Sequence, residues 1–181
     1  MKRNILIFGL IAGLILGLFT LSITILNGKG TDAPHSEIVG YTAMVVAFSF
    51  IFVGTKNFRD KYNGGVVSFG KALRIGLGIT LIGSTMYVIA WMIEYYLFIP
   101  DFMDKYAAHM IHEIQASGVS PAAMNKQIAE INHMSQLYKN PVFVALFTYV
   151  EVLPVGIIIS LLTSLLLKRK TPRPGKTQLA V

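Results

Sequence analysis

Four apolar runs divide this chain, and they restrict what it can fold into more than any other feature. The first, 5–26, contains 22 residues and no charge. A helix of that length reaches ~33 Å, enough to cross a bilayer core of ~30 Å. The others occupy 38–54, 73–98 and 141–167. From Ile75 onward the third carries one charged residue, Glu94, and the fourth carries one, Glu151, together with Pro154. Inside lipid the backbone must satisfy its own polar groups, which leaves helices and closed barrels. Barrel strands alternate apolar and polar residues, and these runs do not. The expectation is an all-α fold: one integral membrane domain, 1–181, built as a four-helix transmembrane bundle.

Composition agrees. The 181 residues are 54% hydrophobic and 14% charged, where a soluble domain carries about a quarter charged residues. Cysteine is absent, which excludes disulfides, thiolate metal sites and cysteine nucleophiles. Lys2 and Arg3 precede the first run as they would a signal peptide. A cleavable signal has an apolar region of only ~7–15 residues and then a small-x-small site, so we read 5–26 as an uncleaved span.

Lysines and arginines set the orientation. With the N-terminus inside, 12 of them fall in inside segments and 4 (Lys29, Lys105, Lys126, Lys139) outside. Both termini are therefore expected in the cytoplasm, with 55–72 an interfacial loop and 168–181 a basic tail on that side. The outer side receives 100–140. Lys56, Arg59, Lys61, Lys71, Arg74, Lys168, Arg169 and Lys170 become lipid-headgroup anchors. This topology accounts for the net charge of +7 without nucleic acid.

The inner loop contains "GVVSFGKA", where Gly65, Gly70 and Lys71 match the phosphate-binding pattern G-x-x-x-x-G-K-[ST] and Ala72 does not. Such a loop needs a preceding sheet strand and a nucleotide fold around it, and neither fits between two spans. A turn at Gly64–Gly65 and an anchor at Lys71 are expected instead, with no nucleotide and no other cofactor.

Gly9, Gly13 and Gly17 recur every fourth residue in the first span, and Ala72, Gly76, Thr80 and Ser84 do so in the third. Small residues at this spacing let helix backbones approach closely. Two readings follow: packing within the bundle, or homo-oligomerisation through the first span.

The outer segment reads as a helical hairpin lying on the membrane surface. Its first helix starts at Pro100–Asp101, and its second at Ser120–Pro121. Three of the four histidines lie here. His109, His112 and Glu113, with His133 across the hairpin, are weak metal-ligand candidates whose spacing matches no zinc protease motif. Solvated surface histidines are the commoner outcome, and no metal is expected.

Glu37, Glu94 and Glu151 attract more interest. Counted from the inner span boundaries, they lie ~26, ~28 and ~24 Å along their helices, at one outer level. An intramembrane carboxylate costs ~2.5–3.5 kcal/mol on insertion scales, so each needs a reason. No Lys or Arg lies in the spans to pair with them. The expected partners are Tyr41, Tyr87, Trp91, Tyr95, Tyr96, Thr148 and Tyr149. One reading is a vestibule binding protons or cations; the other is an interfacial and packing role.

The segments "GYTAMVVAFSFIFVGTKNFRDKYNGGVVSFGKALRIGLGITLI", "YVIAWMIEYY", "PDFMDKYAAHM" and "LYKNPVFVALFTYVEVLPVGIIISLL" resemble the bacterial membrane proteins of domain-of-unknown-function family 4199. The resemblance implies a four-span, multi-pass protein of a bacterial cytoplasmic membrane and transfers no catalytic residue. A structural or accessory membrane component is the leading expectation, acting through its own copy or a membrane-protein partner. A small oligomeric transporter or channel component using the carboxylates is the alternative. An enzyme is not expected, because no nucleophile–base pair stands out.

Overall fold

The computed structural model describes residues 1–27 and 37–171. Among these residues there are six α-helices and no strand: α1 (Lys2–Asn27), α2 (Glu37–Asn57), α3 (Phe69–Leu97), α4 (Phe102–Ala116), α5 (Pro121–Leu137) and α6 (Pro141–Leu167). One π-helical turn, Phe58–Tyr62, extends α2. Four of the helices are long and apolar enough to cross a membrane: Lys2–Leu26, Ile38–Tyr62, Phe69–Leu97 and Pro141–Leu167.

α3 is the hub. It packs along α1 on one side and α6 on the other, while α2 packs against α6 and α1 and closes the ring. α1 and α6 stand at opposite corners, and α2 approaches α3 across the short diagonal. The core lies along that diagonal, where Phe48 and Ile51 of α2 meet Ile75 and Ile79 of α3, with Leu16 and Val152 completing it. Large apolar side chains such as Leu14, Val45, Leu81 and Leu162 point outward, a distribution suited to lipid.

The glycine stripes explain how α1 and α3 come so close. A Cβ added at Gly9 would lie 2.7 Å from the Cβ of Ile82, and one at Gly13 would lie 2.6 Å from that of Met86. At Gly17 the neighbour is Ala90, at 3.3 Å. These partners are themselves four residues apart, so the two helices run parallel in a fixed register. Gly76 of α3 faces Ser160 of α6, 2.8 Å from an added Cβ, and Gly156 of α6 receives Thr80 in the same way. The glycine faces of both spans are filled from within the chain.

The segment 55–72 is mostly helical, against the loop expected there. Lys56 lies in the last turn of α2 and Arg59 in the π-helical turn that continues it, where basic side chains suit the C-terminal end of a helix. The chain leaves the helix at Gly64 and Gly65, with φ of +62° and +79°, and the Gly65 N–H donates to the Arg59 carbonyl (2.8 Å). Ser68 then caps α3, its hydroxyl accepting from the Lys71 N–H at 3.3 Å. Val67 and Arg169 exchange two backbone hydrogen bonds, of 3.1 and 2.8 Å, fastening this connection to the end of α6.

α4 and α5 pack against each other as the hairpin expected between the third and fourth spans. Ser120 caps α5 with Pro121 at its first position, whereas Asp101 makes no capping bond and pairs with Lys105 at 2.7 Å. The arm is held at its base by an aromatic cluster. Trp91 and Phe102 meet edge to face at 5.3 Å, and Tyr138 meets Tyr95, Phe143 and Phe147 at 5.7–6.0 Å. Met103 is buried among these rings and Tyr106 is exposed, so Met103 and Ala107 define the inner face of α4.

Candidate functional site

The α1–α3 stripe ends in a polar clasp. On α3, Ile82, Met86 and Ala90 are followed at the same four-residue interval by Glu94. On α1, Gly17 is followed by Thr20 and Thr24. The Thr20 hydroxyl lies 2.8 Å from one carboxylate oxygen of Glu94, and the Thr24 hydroxyl lies 3.0 Å from the other. Thr20 also reaches the Gly17 carbonyl at 3.1 Å. Glu94 is 3% exposed, and no described residue forms a salt bridge with it.

None of the partners expected for this carboxylate takes that role. Thr148 donates to its own helix at the Val144 carbonyl (2.8 Å), and the Tyr149 hydroxyl bonds Thr85 at 2.8 Å. Thr20 and Thr24 are legible in principle, because they extend the glycine stripe onto the next turns of α1. The many aromatic hydroxyls near the same level hide them.

The common level of the three carboxylates is corrected by helix register. Thr85 faces Tyr149 and Gly76 faces Ser160 across the antiparallel α3–α6 pair. Extending that register puts Glu94 opposite the first residues of α6, and Glu151 about ten residues deeper, ~15 Å away along the axis. Counting from the edge of the apolar run fails because α3 begins at Phe69, well before that edge. Glu151 is exposed on α6. Glu37 is the first residue of α2, and its side chain lies outside the described residues.

Further polar contacts tie the helices together elsewhere. The Asn4 amide donates to the Gly54 carbonyl, and the Asn57 amide donates to Asn4 Oδ1 at 2.9 Å, joining α1 to α2. Thr80 and Ser160 hydroxyls meet at 3.1 Å between α3 and α6. Sequence reasoning does not find Ser160, Asn4 and Asn57, since isolated small polar residues in or beside long apolar runs give little signal. Two shallow apolar grooves open on the flank of α2, one lined by Ile38, Tyr41, Thr42 and Val45, the other by residues of α1 and α2 around Phe19 and Val39. Neither includes Glu94 or Glu151.

The other sequence candidates fall at the two ends. At one end, Lys56, Lys61, Lys71, Arg74, Lys168 and Lys170 are exposed; Arg59 is half-buried and pairs with Asp60 at 2.6 Å, and Arg169 is half-buried beside Val67. Lys71 is directed back at the loop, 3.0 Å from Asn63 Oδ1 and 5.5 Å from the centre of the Phe58 ring. The phosphate-loop lookalike is thus a turn, a bridge residue and a helix cap. At the other end, His109 and Glu113 approach to 3.3 Å on an exposed face of α4. Among the described residues no group of three or more His, Asp or Glu could hold a metal, so His112 and His133 do not join them.

The family description "Protein of unknown function (DUF4199)" matches residues 7–169. No match was found among curated proteins or among solved structures. The matched segment runs from the glycine stripe of α1 through Glu94, the arm and all of α6, and on this basis the chain belongs to the DUF4199 family of proteins of unknown function.

Proposed function

We propose that this protein is a non-enzymatic, multi-pass accessory component of a bacterial cytoplasmic membrane, with both termini in the cytoplasm and the α4–α5 arm outside. The observation that carries this reading is the use made of the polar groups in the spans. Glu94, Thr20, Thr24, Asn4, Asn57, Thr80 and Ser160 all join one helix to another. A solute path needs such groups turned towards a passage, whereas a scaffold needs them between helices. The arm gives the scaffold a surface for a partner, since only its base packs against the bundle. The basic end suits anionic lipid headgroups.

The absence of cysteine makes the topology directly testable. Single cysteines are introduced at Ser117, on the arm, and at Lys170, and treated with a membrane-impermeant maleimide. Ser117→Cys should react in intact cells and Lys170→Cys only after permeabilisation; the reverse pattern refutes the orientation. For the role itself, purified protein in liposomes should conduct protons or monovalent cations no faster than protein-free vesicles. Protein-dependent flux that is lost in Glu94→Gln or Glu151→Gln would replace the scaffold with the transporter reading.

A further inference from the structure

The seam between α1 and α3 finishes differently at its two ends. On α3 the residues that meet α1 recur every fourth position, Gly78, Ile82, Met86 and Ala90, and reach Glu94 in the clasp. One turn the other way, the next member of that series is Arg74. On α1 the matching series is Ile5, Gly9, Gly13 and Gly17, and in the turn before it stands Lys2. A Cβ added at Gly78 would lie 2.8 Å from Ile5 Cγ2, which pins the register at this end. Lys2 precedes Ile5 by three positions and Arg74 precedes Gly78 by four, so the two stand within ~2 Å of one level along the pair. Both are exposed, as is Arg3.

The close approach of the helices thus sets like charges side by side, and neither helix supplies anything to offset them. α1 has no acid, and the first acid of α3 is Glu94, at the far end. Among the described residues no salt bridge involves Lys2, Arg3 or Arg74. Two other cations at this end do have internal partners: Arg59 pairs with Asp60, and Lys71 is turned to Asn63 and the Phe58 ring. An anion placed between Lys2 and Arg74 would replace their repulsion with two attractions. The surface that continues along the seam is apolar, with Leu6, Leu10 and Leu81 exposed. An anion carried on a hydrocarbon chain matches both parts.

We infer that this end of the seam is a binding site for one anionic phospholipid. Its phosphodiester lies between Lys2 and Arg74 with Arg3 beside it, and an acyl chain runs along Leu6, Leu10 and Leu81. Basic pockets between transmembrane helices hold anionic headgroups in this way, and the planar guanidinium of Arg74 can meet two phosphate oxygens at once. The lipid fastens the basic end of the parallel pair as the Glu94 clasp fastens the other. The site rests on the membrane-spanning reading and deepens it, from diffuse attraction of headgroups to one held lipid. It does not depend on which side the termini face.

Native mass spectrometry tests it, with full-length protein extracted into neutral detergent from vesicles of phosphatidylglycerol and phosphatidylcholine in equal parts. The wild type should keep one phosphatidylglycerol in preference to phosphatidylcholine. Lys2→Gln with Arg74→Gln should weaken that preference by roughly tenfold or more. Lys168→Gln with Lys170→Gln takes the same charge from the end of α6 and should weaken it much less; equal losses would mean diffuse attraction and overturn the site. Inorganic phosphate, compared with chloride at equal ionic strength, should not displace the lipid, since it has no chain to lie along Leu6, Leu10 and Leu81. Displacement would make the ligand a free anion and also overturn the proposal. A wild type that keeps both lipids equally overturns the site alone, whereas one that keeps neither overturns the membrane reading and the site with it.

Discussion

Gly13→Ala adds one carbon at the tightest point of the α1–α3 contact, and its effect can be worked from the geometry. The new Cβ would lie 2.6 Å from the Met86 Cβ. Ordinary carbon contacts begin at ~3.5 Å, so about 1 Å must be found. Met86 Cβ is fixed to the α3 backbone and cannot swing aside, so the helices must separate. A retreat of ~1 Å takes the Thr20 and Thr24 contacts to Glu94 close to 4 Å, beyond hydrogen-bonding range. Overpacking costs about 1–3 kcal/mol, and each interhelical hydrogen bond lost in a membrane about 0.6–1.7 kcal/mol. Alanine returns about 0.5–1 kcal/mol of helix propensity. The net expectation is destabilisation by about 2–4 kcal/mol. Gly40→Ala is the matched control, because an added Cβ there meets nothing within 4 Å. Reversible unfolding in mixed micelles measures both, with Trp91, the only tryptophan, reporting on the base of the arm. A Gly13→Ala protein as stable as Gly40→Ala would refute the close parallel pairing of α1 and α3.

Thr20→Val with Thr24→Val should destabilise the same bundle by about 1–3 kcal/mol, and Glu94→Gln should add less to that double variant than it does alone; full additivity in an unfolding cycle would argue against one shared clasp. At Gly65, φ is +79°, so Gly65→Ala should cost about 1–2 kcal/mol and speed hydrogen exchange at the Val67 and Arg169 amides; unchanged exchange would separate the turn from the bridge. Burial, and then the charge of Glu151, pushes the Tyr138 phenol from its ordinary value of 10 up to about 12. The folded state therefore favours the neutral phenol, and the stability this gives is full below pH 10 and lost as pH rises through 12. Tyr138→Phe should flatten that alkaline loss, read from Trp91 fluorescence. Asp101 is held below the usual carboxylate range by its hydrogen bond to Lys105, so its support of the first turn of α4 is present above pH ~4 and fades as pH falls through the lowered value. Asp101→Asn should remove that acid-side slope in α4 helicity.

Much of the bundle is legible in the sequence because its information is one-dimensional. Apolar length marks a span, a glycine every fourth residue marks a close face, and Ser120–Pro121 marks a helix start. Register between helices cannot be read in this way. Gly13 announces that something approaches, but only the fold says that it is Met86 of a parallel helix 73 positions away. The clasp is hidden for the same reason: Glu94 is conspicuous in its run, while Thr20 and Thr24 are ordinary in theirs. The depth of Glu151 escapes a count along the chain because a charged residue does not end a span. Lys71 and Arg74 lie within the first turns of α3.

The parallel pairing of α1 with α3 has a consequence for how the chain is made. Thr20 and Glu94 are 74 residues apart, and the whole of α2 is synthesised between them. At roughly 5–20 residues per second, α1 waits some 4–15 s for its partner. Throughout that interval its three glycines and two hydroxyls face lipid or the insertion machinery, with only α2 to lean on. The first span is thus a segment with a lasting need for an escort, and any factor that shields small-residue faces during insertion would meet this protein there first.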